Sequence, residues 1–184
     1  SRGLGDVYKR QGIVAETAAA LNMPFITERW PGGLLTNFAT IRKSIKKMQT
    51  IDKMKENGTF DSLSKRERLQ IDRQRAKLDL NLGSIVKMTR MPEAVFIVDT
   101  GKENIALAEA NKLGIRSFAM NDTNTNPNLV SFPIPSNDDA SKSIQCIMSI
   151  VKTAIAEGLE ERGADQEAKA VEKKEKAKKI TEEK

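Results

Sequence analysis

The chain has 184 residues, with 31 Lys and Arg against 25 Asp and Glu, a single cysteine and no histidine. No disulfide can close within it, no Cys/His zinc site can form, and the most frequent general base is absent. Aromatics are only 4% of the sequence, so the core must be built from Ile, Leu, Val, Met and Ala, and no apolar run is long enough to cross a bilayer.

Residues 1–11, SRGLGDVYKRQ, show neither helical nor strand periodicity and do not start with Met. They read as an artefactual leader. From Gly12 a helix is predicted, with Ile13, Val14, Ala18 and Leu21 on one face, stopped by Asn22 and Pro24. Phe25, Ile26 and Thr27 read as a short strand. A helix leading directly into a strand implies an earlier strand upstream, so the chain is expected to be an N-terminally truncated fragment.

A turn follows, WPGG, holding the only tryptophan. Pro31 fixes one φ, while Gly32 and Gly33 allow positive φ or close backbone approach. Trp30 reads as a structural anchor at this turn, its indole N–H facing outward, because one lone aromatic is not a base-stacking platform. Arg29 beside it can reach a phosphate or a carboxylate.

A long helix is predicted from Thr36, as N-cap, to about Glu56, ended by Asn57 and Gly58. Phe38, Ile41, Ile45, Met48, Ile51 and Met54 make one apolar stripe. Ser64 and Glu67 fit a capping box opening a second helix. There Leu69, Ala76, Leu80 and Gly83 form a seam, broadened by Ile71, Leu78 and Leu82. Residues 36–90 thus read as a protruding antiparallel helical hairpin of coiled-coil type, each arm roughly 30 Å long.

Beyond Pro92, residues 94–98 are an apolar run suited to a strand buried on both faces. A helix to Leu113, a strand from Ile115 to Met120, a polar loop, a strand from Val130 to Ile134 and a helix from Asp138 follow. That last helix has Ile144, Ile147, Val151 and Ile155 inside. This alternation indicates an α/β domain, a parallel sheet flanked by helices of flavodoxin-like or Rossmann-like type, over residues 12–35 and 91–157. Residues 158–184 mix Glu and Lys with little to bury and are expected to be a disordered charged tail.

Between Arg42 and Arg90 there are fourteen basic and six acidic residues, so the hairpin carries the whole excess of positive charge. Arg42, Lys43, Lys46 and Lys47 fall on one flank of the first helix, and Arg66, Arg68, Arg73 and Arg75 lie on the second. With Arg29, these are the candidate RNA-binding residues, since a basic arm releases counterions from a polyanion.

Catalytic signals are weak. DTGK follows a strand and precedes a helix, the ligand-binding end of such a fold, but neither a phosphate loop nor a dinucleotide fingerprint is present. Asp99, Asp122, Asp138 and Asp139 sit near strand ends and helix starts, where capping and turn roles account for them, and Cys146 reads as a small core residue. No metal, cofactor, small-molecule substrate or membrane is expected. Two alternatives stay open: an α/β enzyme acting on a phosphorylated small molecule, and a coiled-coil adaptor that binds only protein.

Three stretches, TERWPGGLLTNFATIRKSIKKM, PEAVFIVDTGKENIALAEANKLGI and NDTNTNPNLVSFPIPSNDDASKSI, closely resemble, in order, the bacterial small-subunit ribosomal protein S-two family. The resemblance runs from about Gly12 to about Glu157. It implies an α/β domain with a protruding hairpin and a structural, non-enzymatic role on the cytoplasmic ribosome. The implied partners are small-subunit rRNA and neighbouring proteins, including the large S-one protein. Two departures stand out. SRGLGDVYKRQ lacks the strand and Gly-Thr-Lys turn that the family has before Ile13, and Arg116 replaces the usual Ala or Pro.

Overall fold

The computed structural model describes the backbone of residues 4–182 and the side chains of residues 11–164. Residues 1–3 of the expected leader and 183–184 of the expected tail lie outside the described residues. The element order is α1 (Leu4–Ala20), α2 (Phe38–Glu56), a 3₁₀ turn (Thr59–Ser62), α3 (Lys65–Leu82), β1 (Ala94–Val98), α4 (Asn104–Leu113), β2 (Arg116–Asn121), β3 (Phe132–Pro135) and α5 (Ser141–Glu182).

The three strands form a parallel sheet in the order β1-β2-β3, in register from Ala94 opposite Arg116 to Asn121 opposite Pro135. Alternation along the strands divides the core in two. On one face Ile97 and Ala119, with Val95, pack against Ala106 and Leu107 of α4 and against Val130. On the other, Phe96, Val98 and Met120 meet Ile13 and Val14 of α1 and Ile144, Ile147 and Met148 of α5. The result is a three-layer α/β fold. Phe118 and Phe132, direct neighbours across β2 and β3, stack with centroids 4.6 Å apart.

Several expectations shift for local reasons. Residues 25–27 are not a strand. Their carbonyls are met by side chains instead, Phe25 O by the Ser84 hydroxyl and Thr27 O by Gln11 Nε2 at 2.7 Å. α1 begins at Leu4 and so runs through most of the stretch read as a leader. β1 packs on both faces as expected, Val95 and Ile97 on one side and Phe96 and Val98 on the other. It lies at one edge of the described sheet, however, and only Ile97 is fully buried, so β2 is the better buried. α5 starts at Ser141, not Asp138, because Asn137 Oδ1 accepts the Asp139 and Ala140 amides and forms a turn there. Cys146 is exposed, since the inner face of α5 falls to Ile144 and Met148. α5 is helical through Glu182, where composition suggests disorder; Ala, Glu and Lys are strong helix formers. Arg116 is exposed at the start of β2.

Candidate nucleic-acid interface

The turn at Pro31, Gly32 and Gly33 is built around a carboxylate. Glu109 of α4, 8% exposed, accepts hydrogen bonds from the backbone N–H of Gly33 (2.6 Å), Leu35 (2.9 Å) and Thr36 (3.1 Å), and from the Thr36 hydroxyl (3.3 Å). Burial pushes this carboxyl up. The amides of Thr36, Gly33 and Leu35, and after them the Trp30 indole, outweigh burial and hold it below the ordinary glutamate value of 4.5. Glu109 lies within the stretch PEAVFIVDTGKENIALAEANKLGI, where the sequence alone assigns it no role. Its signal was a lone acid among the alanines of a short helix, Ala106, Ala108 and Ala110.

Gly33 has φ +85° and would bring a Cβ within 3.3 Å of Asn37 Cβ, so glycine is required there. Gly32 is not left-handed and faces open space, so only one of the two glycines is demanded by conformation. Thr36 is spent on Glu109, and the N-cap of α2 is Asn37, whose side chain makes no capping bond but accepts the Thr40 hydroxyl at 2.8 Å. Trp30 is half-buried where the sheet core meets the hairpin base, packing against both clusters. Its indole N–H is buried, not outward; it forms no hydrogen bond of normal geometry but lies near enough to Glu109 to assist the carboxylate.

α2 and α3 run antiparallel. Lys55 Nζ pairs with Asp72 at 2.6 Å and Arg75 Nε with Asp52 at 2.8 Å, so later residues of one helix meet earlier residues of the other. The base is apolar: Leu34, Ile45, Leu82 and Ile85, flanked by Ile26, Ile41 and Leu78. At the tip Gly58 takes φ +72° before the 3₁₀ turn, and Lys55 lies 5.1 Å above the Phe60 ring. The Ser64–Glu67 capping box forms as predicted. The seam of α3 differs from the expected one. Leu78 and Leu82 pack with Ile41 and Ile45 of α2 and Ile71 is half-buried, while Leu69 and Leu80 are exposed.

The candidate RNA-binding residues divide by environment. Lys43, Lys46 and Lys47 are exposed, and residues 36–51 contain no acid. Arg29, Arg66 and Arg73 are also exposed. Arg42 is half-buried and donates to the carbonyl of Thr89, which ties α2 to the loop that returns from the hairpin to β1. Arg68 is half-buried on α3. Arg75 is held by Asp52 first and Asp79 second, and these acids raise its pKa further. Its charge is met inside the hairpin.

At the carboxyl ends of the strands, Asp99 adopts φ +72°, accepts the Lys102 amide at 3.2 Å and lies 3.4 Å from Lys102 Nζ. Burial, then Asp99, Asp139 and Asp122, raises the Asp138 carboxyl above the ordinary aspartate value of 3.8. Among the described residues no group of three Cys, His, Asp or Glu side chains is placed to hold a metal ion. No helix among the described residues is long and apolar enough to cross a membrane.

The family described as Ribosomal protein S2 matches residues 4–158. The chain is similar to the small ribosomal subunit protein uS2 of Flavobacterium johnsoniae, 62% identical over 160 residues, covering 87% of this chain and 63% of that protein. Against uS2 of Flavobacterium psychrophilum identity is 64% over 156 residues, 85% of this chain and 59% of that one. Against uS2 of Parabacteroides distasonis it is 61% over 153 residues, 83% and 55% respectively. The chain therefore spans between half and two thirds of the length of these relatives. By the family match and by these identities, the chain belongs to the ribosomal protein S2 family.

Proposed function

We propose that the protein is a non-catalytic constituent of the small ribosomal subunit in the bacterial cytoplasm. Its hairpin grips small-subunit RNA, and its other surfaces meet neighbouring ribosomal proteins, the large S-one protein among them. The observation that carries this reading is the flank of Lys43, Lys46 and Lys47, exposed on a helix whose first acid is Asp52, near its far end. Family membership supplies the kind of partner, and the relatives' own name, small ribosomal subunit protein, is consistent with it.

In this reading the residues have unequal parts. Lys43, Lys46 and Lys47 meet phosphates, with Arg29 at the turn and Arg68 on α3 extending the positive field. Arg42 and Arg75, already bonded within the protein, hold the arm in place. Glu109, through the turn it organises, orients the arm against the domain. Changing Lys43, Lys46 and Lys47 together to Gln in the full-length protein should lower its incorporation into small subunits about tenfold while the fold survives. Unchanged incorporation would contradict the reading.

A further inference from the structure

α3 carries two rows of residues at coiled-coil spacing, and α2 uses only one. Arg66, Leu69, Arg73, Ala76 and Leu80 follow one another at steps of three and four, the spacing of positions a and d in a heptad. All five are exposed, Leu69 at 52% and Leu80 at 66%. The acids of α3 are committed elsewhere: Glu67 closes the capping box, Asp72 pairs with Lys55 and Asp79 with Arg75. Among the described residues no acid pairs with Arg66 or Arg73, nor with Lys77 beside the row.

We propose that this outer face of α3, which points away from α2, docks an acidic amphipathic helix from a protein partner, packed on α3 alone. Leu69 and Leu80 span eleven positions, about 16 Å of helix, enough for three turns of a partner. Two leucines and an alanine in the row offer packing surface that a phosphate backbone has no use for, while a helix with its own a and d residues would fill it. The cations between the leucines select for Asp and Glu on that helix. The lysine flank of α2, by contrast, has no apolar residue exposed within it and stays with RNA. The inference thus rests on the ribosomal reading and separates the arm's two faces by the chemistry of what they meet.

The test uses the full-length protein with a photoreactive benzoylphenylalanine placed at Leu69, at Leu80 or at Lys47, assembled into small subunits and irradiated. All three positions are exposed, so folding should tolerate the label. Adducts from positions 69 and 80 are expected to be destroyed by protease and to survive ribonuclease, with the captured segment amphipathic and rich in Asp and Glu. The adduct from position 47 is expected to contain RNA. RNA at positions 69 and 80, a basic protein segment there, or no adduct there while position 47 captures RNA, would overturn the docking proposal and leave the ribosomal reading standing. Failure of the protein to enter subunits at all would sink that reading, and this inference with it.

Discussion

The Gly33 amide donates to Glu109 Oε1 at 2.6 Å across 76 residues of sequence. That bond, with those from Leu35 and Thr36, fastens the start of the hairpin to the helix that follows β1. The direction of the arm is therefore set by one buried carboxylate as well as by its apolar base.

Removing that carboxylate should cost stability out of proportion to its size. Glu109→Ala leaves the buried Leu35 N–H and the part-buried N–H groups of Gly33 and Thr36 without their acceptor and should lower unfolding free energy by about 3 kcal/mol. Glu109→Gln retains one carbonyl oxygen and should cost less. Denaturant melts that place both variants within about 0.5 kcal/mol of the parent, the size of an ordinary surface substitution, would show that the turn holds without it.

The same group makes stability pH-dependent. Its folded pKa lies below 4.5, so its contribution is fully present above that value and is lost as pH falls through the folded pKa. Asp138 runs the other way. Its folded pKa lies above 3.8, so folding favours the protonated form, and the stability it contributes in acid is lost as pH rises through the folded value. Melting temperature should drop below pH 4.5 more steeply for the parent than for Glu109→Gln. The difference between the parent and Asp138→Asn should move in favour of Asn as pH rises from 3.8. Parallel pH profiles for all three proteins would refute both assignments.

Gly33 and Gly32 are adjacent, but their substitutions should separate. Gly33→Ala forces a side chain into φ +85° with a 3.3 Å contact to Asn37 Cβ and should cost about 1 kcal/mol or more. Gly32→Ala meets open space and should be neutral within about 0.5 kcal/mol. Equal effects in thermal melts would mean that the turn is not shaped as described.

Much of the architecture was legible because it is local. The capping box at Ser64 and Glu67, the left-handed stops at Gly58 and Gly114, and strands β1 and β2 each follow from a few consecutive residues. What could not be read depends on distant partners. Both rows of α3 have coiled-coil spacing, and the contact of Leu78 and Leu82 with Leu34 and Ile85 decides which row faces inward. Phe25, Ile26 and Thr27 have strand-like side chains, but Gln11 and Ser84 take two of their carbonyls. The lysine flank was readable from the absence of acids. That Arg75 is neutralised was not, since Asp52 lies on the other helix.

The inner and outer rows of α3 should respond differently to truncation. Leu82→Ala, at a site 5% exposed, should cost about 2–5 kcal/mol, whereas Leu80→Ala, at 66%, should cost less than about 0.5 kcal/mol. Comparable losses by chemical denaturation would place the seam on the other face.

The central claim, that the exposed lysines of α2 grip RNA electrostatically, is tested most directly by the salt dependence of binding. The full-length protein and its Lys43→Gln, Lys46→Gln, Lys47→Gln triple variant would be titrated with small-subunit RNA over a range of salt concentrations. Each phosphate contact contributes roughly 0.7 to 0.9 to the slope of log K against log salt, so the variant's slope should be shallower by about 2 to 3. An identical slope in the two proteins would mean that the arm's charge does not meet RNA there.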